Sequence, residues 1–324
     1  MAARVRACAA LIGRSLLVLW LAVTLLFVML AMLRGNPVSL FLDPRLTPEL
    51  QLRLKAAYGY DAGHLERYFR YLGNVASGDL GVSFTQRQPV ARVLFNSVGQ
   101  SLWLGCFSFV LAMLLCLLLL VALNQRRFVM LKSICRFSVS LMLSMPAFIL
   151  AALAISILGV RSRWLPIFGT RDLFSSASSP LGEVLELVRH SLLPGFSIAI
   201  PLAALFVTYL NQRLARLDNA PFIVSARGRG ISELRIFFNH KLRTILPSFV
   251  QLCGLYLPSV VGGTLIVESM FGWSGLGLLL IDGVFSRDYP LLMGGCIFSA
   301  ALVIPGYELA DYLRVRIGEG EELP

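Results

Sequence analysis

Six long apolar runs follow one another along this chain, and polar segments of unequal length separate them. A helix needs about 20 apolar residues to cross the hydrocarbon core of a bilayer, because each residue advances it by only about 1.5 Å. Runs of that length lie at about residues 12–33, 98–123, 133–158, 192–212, 247–268 and 289–313. The pattern predicts an all-α polytopic membrane protein with six transmembrane helices.

Composition and the make-up of the runs narrow the class further. Hydrophobic residues are 57% of the chain and charged residues are 15%, which is typical of membrane proteins. The runs are continuous blocks of Leu, Val, Ile, Phe and Ala, whereas a strand of a membrane barrel alternates over about ten residues. Helices buried in a soluble core are the other alternative, but runs of this length favour transmembrane helices. The six cysteines are scattered, so neither disulfides nor a metal site are expected.

Lys and Arg residues are concentrated in alternate polar segments. Because short loops rich in these residues tend to stay in the cytoplasm, both termini are predicted to be cytoplasmic. The net charge of +11 then reflects topology and contact with lipid headgroups, so membrane lipid is an expected partner and nucleic acid is not. The predicted segments are the N-terminus with the first transmembrane helix at 1–33, an extracytoplasmic helical segment at 34–97, a five-helix core at 98–313 and a cytoplasmic tail at 314–324.

The extracytoplasmic segment is predicted to contain two short helices. Thr47 can cap the first, with Pro48 at its first position. The second has an apolar stripe formed by Leu65, Tyr68, Phe69 and Leu72. The glycine-rich sequence "GDLGVSFTQRQPV" after it indicates turns. The segment is either a functional element or a cap that closes the gap between two transmembrane helices.

The polar segment between the fourth and fifth runs combines small residues and glycines with positive charge. Pro221 can begin a short helix after Asp218 or Asn219, and Gly230 can end it in the left-handed conformation. Ser232 then fits the N-cap of a second helix.

That second helix is predicted to be amphipathic. Its apolar stripe consists of Leu234, Phe237, Phe238, Leu242 and Ile245. A tip of small residues allows another surface to approach the backbone closely, which indicates a docking site. A basic amphipathic helix lying on anionic lipid is the alternative, and it explains the charges but not the cluster "SARGRG".

The stretch "SARGRGISELRIFFNHKLRTILPSF" resembles the cytoplasmic coupling loop, or EAA loop, of ATP-binding-cassette importer permeases. In the peptide and nickel branch of that family the loop reads approximately Ala-Arg-Ala-Lys-Gly, then His-Ala-Leu-Arg-Asn and Leu-Pro. The counterparts here are residues 226–230, 240–244 and 246–247. Three further stretches resemble signatures of the same family: "RGNP", "YLGNVASGDLGVSF" and "VESMFGWSGLGLLLIDGVFSRDYPLLMGG". The resemblance therefore covers almost the whole chain, in order.

The resemblance implies a six-helix permease with the type I importer fold in the bacterial cytoplasmic (inner) membrane. It implies import of di- or oligopeptides, with nickel or a metal chelate as the alternative substrate. The implied partners are a homologous second permease, two cytoplasmic ABC ATPase subunits and an extracytoplasmic solute-binding protein. The chain is then not an enzyme and binds no cofactor, because ATP and Mg belong to the ATPase subunits. Four positions depart from the family pattern and weaken the assignment of the substrate: Asn36, Pro221, Tyr307 and Glu308.

Two groups of residues are expected to carry the function. The first is the ATPase-coupling loop at 213–246, in which the candidates are Ser225, Ala226, Arg227, Gly228, Arg229, Gly230, Ser232 and His240. The second is a candidate outer gate, with Glu268, Trp273, Gly275 and Asp282. A bulky tryptophan among glycines suits a lid that repacks when the binding protein docks, and plain glycine-rich packing is the alternative.

Other function classes fit less well, and no catalytic or metal-binding residues are predicted. The sequence "GWSG" at 272–275 resembles the nucleophile turn of intramembrane serine proteases, but such a serine needs a histidine base. His64, His190 and His240 all lie outside the predicted transmembrane helices. A glycine-rich phosphate loop ending in Gly-Lys-Ser/Thr does not occur in the sequence. A secondary transporter often places ionisable residues within the membrane, where only Glu308 is expected.

Overall fold

The computed structural model describes residues 2–32, 63–124, 129–162, 164–171 and 179–318. Regular structure in these ranges is helical, apart from an isolated antiparallel bridge between Val82 and Pro89. The helices are α1 (Ala2–Met32), α2 (His64–Ala76), α3 (Val90–Asn124), α4 (Val129–Ser144), α5 (Ala147–Ala154), α6 (Pro180–Leu217), α7 (Pro221–Gly228), α8 (Glu233–Ile236), α9 (Leu242–Gly263), α10 (Leu265–Met270), α11 (Leu276–Phe285) and α12 (Tyr289–Gly318). The predicted all-α class is confirmed.

Helices long and apolar enough to cross a bilayer coincide with four of the six predicted runs. α3, α6 and α12 each meet the requirements of length and composition, and α4 with α5 is a fourth if the bent pair forms one transmembrane segment. The first run falls on α1, whose apolar part is the shorter stretch Gly13–Met29. The fifth falls on α9, which contains two prolines. The count of six therefore stays a prediction.

The run predicted at 133–158 is not one continuous helix. α4 and α5 meet at an angle of 105°, and Pro146 is the N-cap residue of α5. Proline lacks a backbone N–H and disfavours helical conformation in the residue before it, so α4 ends before Pro146 and a new helix starts after it. α5 continues as a π-helical segment, Ile155–Arg161.

The chain divides into two compact units, and each is described by itself. The first contains residues 1–99 and 278–305. In it, Phe27 of α1 meets Tyr68 of α2 edge to face, with ring centroids 5.3 Å apart. The predicted turns after α2 are confirmed, because Gly78 and Gly81 both have φ of 83°, which favours glycine. The helix predicted after Thr47 lies outside the described residues.

The second unit contains residues 100–277 and 306–324. Its largest apolar cluster joins the second half of α3 to α4, α6 and the start of α9. Phe206 of α6 is buried at its centre and meets Tyr256 edge to face, with ring centroids 5.5 Å apart. α6 starts earlier than the predicted run, because Ser179 caps it by accepting a hydrogen bond from the Gly182 N–H at 3.2 Å. This packing holds the ends of α3 and α6 beside the loop between α6 and α9.

Candidate functional site

The loop between α6 and α9 has a small apolar centre of its own. Ile223 and Ala226 of α7 and Ile236 of α8 are fully buried and pack together. Ala220 and Ile231 are partly buried against them. The two short helices therefore form one packed body. The prediction that Ala226 lies on the open tip is wrong, because its methyl group fills this centre.

α7 starts as predicted at Pro221, which is the first residue of the helix. Proline suits this place because the first N–H groups of a helix have no partner within the helix. The N-cap residue is Ala220. Asp218 accepts hydrogen bonds from other side chains, described below.

The junction between α7 and α8 is a tight turn. Gly230 has φ of 76°, which confirms the predicted left-handed conformation, and its N–H donates to the Arg227 carbonyl at 2.9 Å. Ser232 is the N-cap residue of α8, as predicted, but its hydroxyl makes no capping hydrogen bond within the described part of the chain. Ser232 is exposed to solvent.

A π-helical turn, Phe237–Lys241, connects α8 to α9. Such a turn holds more residues than an α-helical turn and shifts the faces of the helix that follows. The predicted apolar stripe is correct for Phe237 and Ile245, which are buried. It is wrong for Leu234 and Phe238, whose side chains are 49% and 42% exposed. Lys241 takes a buried place instead, with 2% of its side chain exposed.

Three small residues form an open surface on the loop, which we call the small-residue patch: Ser225, Gly228 and Gly230. All three are exposed. A Cβ atom built at either glycine meets no heavy atom of the described residues within 4 Å. Arg229 is exposed beside the patch, and His240 in the π-helical turn is partly exposed. Another protein surface can therefore approach the backbone closely here.

Five polar side chains join this loop to the ends of α3 and α6, and we call them the charge network: Asn124, Asp218, Arg227, Glu233 and Lys241. Lys241 Nζ donates to Asp218 Oδ1 at 2.7 Å and to Asn124 Oδ1 at 3.1 Å. Arg227 Nη2 donates to the same Asp218 oxygen at 2.7 Å. Arg227 Nε donates to Glu233 Oε1 at 2.7 Å. Two positive and two negative side chains thus balance one another.

The network shifts the pKa values of two of its members. Burial alone would raise the pKa of Asp218, but the hydrogen bonds and charges of Lys241 and Arg227 outweigh it and hold that pKa below its ordinary value. The hydrogen bond to Glu233 is the largest cause that raises the pKa of Arg227. Both groups are therefore charged at neutral pH. Asp218 and Lys241 were not predicted as site residues; the available signal in the sequence was a lysine close to an apolar stripe.

The candidate gate residues lie on and after α10. Glu268 is fully buried and accepts hydrogen bonds from the Thr264 hydroxyl and the Gly277 N–H, both at 2.7 Å. Trp273 is also fully buried, and its Nε1 donates to the Gln100 carbonyl at 2.9 Å. We call this cluster the Glu268 junction. It holds the turn after α10 against the start of α11 and against α3.

Gly275 belongs to the same junction. A Cβ atom there would overlap the Glu268 carboxylate and the Ser101 hydroxyl. That hydroxyl accepts the Leu276 N–H at 2.7 Å. The structure therefore brings together three of the four candidate gate residues: Glu268, Trp273 and Gly275. Asp282 is exposed on α11 and belongs to the other compact unit.

Metal ligands do not cluster in the described ranges, which contain no group of three His, Cys, Asp or Glu side chains arranged to hold an ion.

Comparison with known proteins places the chain among transport permeases. Residues 119–318 match the family described as binding-protein-dependent transport system inner membrane component. An oligopeptide transport system permease protein of Bacillus subtilis is 30% identical over 295 residues, which cover 90% of this chain and 92% of that protein. A glutathione transport system permease protein of Escherichia coli is 28% identical over 279 residues, which cover 85% of each chain. This chain belongs to the family of inner membrane components of binding-protein-dependent transport systems.

Proposed function

We propose that this permease imports di- or oligopeptides. The support is that two relatives, aligned along most of the chain, carry names that specify oligopeptide and glutathione transport. Glutathione is itself a short peptide, so both names point to one class of substrate.

The working complex contains this chain and a homologous second permease, which together form the translocation path. Two cytoplasmic ATPase subunits bind ATP with Mg and hydrolyse it, and an extracytoplasmic binding protein delivers the substrate. Both termini of the chain lie in the cytoplasm, because Lys and Arg are concentrated in the segments that this orientation places there.

The small-residue patch is the surface that docks to an ATPase subunit. The observation that supports this proposal is the contrast within one loop, where a packed apolar centre underlies an open surface of Ser225, Gly228 and Gly230. A surface without bulky side chains lets a partner reach the backbone, and a packed body moves without deforming. Ala226 fills the apolar centre, and Arg229 and His240 border the patch.

The Glu268 junction is the outer gate. Its support is that Trp273 and Glu268 are buried and hydrogen-bonded at a turn between two helices, so movement of either helix disturbs several contacts at once. Asp282 lies on the helix that follows the turn.

Replacement of Gly228 by tryptophan tests the docking proposal. Gly228 lies in open space, so a bulky side chain there blocks a partner while the loop stays folded. Co-purification of the ATPase with the permease is expected to fall about fivefold or more, since overpacking a fitted contact costs about 1–3 kcal/mol. The matched control is Gly73→Trp in α2, where a Cβ atom also meets open space. Equal co-purification for both variants, at equal membrane expression, would refute docking at this patch.

The substrate class is tested on the extracytoplasmic binding protein of the proposed complex. Di- and tripeptides are expected to raise its melting temperature, and nickel with or without a chelator is expected to leave it unchanged. If nickel, with or without a chelator, raises the melting temperature and peptides do not, the peptide assignment is refuted and the docking proposal is unaffected.

A further inference from the structure

The ammonium group of Lys241 lies where three parts of the chain meet. Asn124 is the last residue of α3, and Asp218 directly follows α6. They lie 117 and 23 positions away from Lys241 in the sequence, and Nζ donates a hydrogen bond to each of them. Because 2% of the Lys241 side chain is exposed, water competes little for these bonds. One buried charge thus connects the loop to the ends of two long helices.

Arg227 connects the same point to the docking side of the loop. Its guanidinium group donates through Nη1 to the Asp218 carbonyl oxygen at 2.9 Å and through Nη2 to Asp218 Oδ1 at 2.7 Å. Its Nε reaches Glu233 in the first turn of α8. The planar group therefore fixes the direction of α7 and α8 relative to the end of α6. Gly228, the centre of the small-residue patch, is the next residue.

We propose that Asp218, held between Arg227 and Lys241, is the joint that passes displacement of the docked loop to α3 and α6. The three side chains are positioning residues: they hold the loop at a fixed angle to the helices and need not touch the ATPase. This inference rests on the proposed docking of the ATPase at the small-residue patch and adds the route by which docking acts on the transmembrane helices.

The apolar contacts of the loop do not replace this joint. Phe237 and Ile245 pack into the large cluster with α3, α4 and α6, and such contact is non-directional, so side chains can slide while apolar area stays buried. Hydrogen bonds between charged groups depend strongly on distance and angle. Apolar packing keeps the loop attached, and the charge network sets its angle.

Three variants of the assembled transporter test the proposal: Asp218→Asn, Lys241→Met and the double substitution. Each single change leaves an unmatched charge near the buried site, which destabilises the protein. The double change removes both charges of a pair in which Lys241 is buried and 38% of the Asp218 side chain is exposed. Even for fully buried ion pairs, replacement by neutral side chains of similar volume is often neutral for stability. The control is Arg136→Gln, because Arg136 is an exposed positive residue of α4, outside the loop at 213–246.

Three quantities are measured at matched expression: the melting temperature, the amount of co-purified ATPase, and the stimulation of ATP hydrolysis by substrate-loaded binding protein. In the double variant we expect the melting temperature and the amount of co-purified ATPase to stay close to the wild-type values. Stimulation is expected to fall about fivefold or more, which is the lower end of coupling between two sites. The double variant should lose no more stimulation than either single variant, because the residues act through one another. Arg136→Gln should keep full stimulation.

If both the melting temperature and the stimulation of ATP hydrolysis return to wild-type values in the double variant, the proposal is refuted, because the network would then only stabilise the fold. The proposal is also refuted if the loss of stimulation in the double variant equals the sum of the losses in the two single variants. Failure of the docking proposal gives a different result: Gly228→Trp would leave ATPase co-purification unchanged, whatever the network variants do.

Discussion

The Asp288 carboxylate accepts a hydrogen bond from the Ser83 hydroxyl at 2.6 Å, across 205 positions of sequence. The same oxygen accepts the N–H and the hydroxyl of Thr85 at 3.0 and 2.8 Å. The other oxygen accepts the Leu291 N–H at 3.2 Å. Asp288 is fully buried, so a single side chain fixes the turn after α2 to the start of α12 within one compact unit.

Replacing Asp288 is expected to destabilise that unit. Asp288→Ala leaves several buried donors without their acceptor, and each unpaired group costs about 1–3 kcal/mol. Asp288→Asn should cost less, because the amide oxygen still accepts. Thermal unfolding of the purified protein in detergent measures the difference, with Asp282→Asn at an exposed position as the control. Asp288→Ala unfolding at the wild-type temperature would contradict the anchoring role.

Gly275→Ala is expected to disturb the Glu268 junction. The added methyl group overlaps the Glu268 carboxylate and the Ser101 hydroxyl, and overpacking of this kind costs about 1–3 kcal/mol. The control is Gly99→Ala, because a Cβ atom at that helical position meets nothing among the described residues within 4 Å. If the junction is the gate, Gly275→Ala reduces peptide uptake further than it reduces the amount of folded protein.

Trp273→Phe tests the gate in a milder way. The ring stays in place, but the hydrogen bond from Nε1 to the Gln100 carbonyl is lost, at a cost of about 0.5–1.5 kcal/mol. Uptake and unstimulated ATP hydrolysis in reconstituted transporters should both change if the junction opens during transport. Unchanged values for both would leave Trp273 as a packing residue only.

Much of the fold could be predicted because the deciding chemistry is local. Continuous apolar runs locate α3, α6 and α12, since a bilayer imposes a minimum length on a helix. Pro221 and Gly230 start and end α7 for conformational reasons that belong to each residue alone. The bend at Pro146 had a local signal too, although the run was interpreted as one segment.

The charge network could not be predicted because it depends on contacts between distant residues. A strict 3.6-residue period places Phe238 inside, whereas the π-helical turn buries Lys241. Aspartate is a residue type that often caps helices, but the Asp218 carboxylate accepts a hydrogen bond from a lysine 23 positions later in the sequence. The burial of Ala226 could not be predicted either, since a small side chain fits both an open surface and a packed apolar centre. In each case tertiary contact decided between two local possibilities.

The orientation of the chain is tested by labelling single cysteines in a variant whose own cysteines are replaced. Gln86 lies in the exposed turn after α2, and Ser232 lies exposed between α7 and α8. Ser83 is unsuitable for the first position because it is buried against Asp288. In intact cells an impermeant reagent should label Gln86→Cys and leave Ser232→Cys unlabelled. Both should react in opened membranes, and the reverse pattern in intact cells would invert the topology.

The stability contributed by Asp218 is expected to depend on pH in a defined direction. The network holds its pKa below the ordinary value of about 3.9. A lowered pKa in the folded state means that the unfolded chain binds the proton more readily, so the carboxylate stabilises the fold above about pH 4. That contribution decreases as the pH falls through the folded-state pKa. The melting temperature of Asp218→Asn should therefore lie below wild type at pH 7.

The difference between the two proteins should shrink progressively below about pH 4, where the unfolded wild-type chain takes up the proton. It should be smallest below the folded-state pKa, where the carboxylate is protonated in both states. Asp282→Asn supplies the control for removing a carboxylate at an exposed position. Melting curves from pH 7 to pH 3 in one detergent measure both differences. A gap between Asp218→Asn and wild type that widens toward low pH would mean that the Asp218 pKa is raised in the folded state, and that Lys241 and Arg227 do not stabilise its charge.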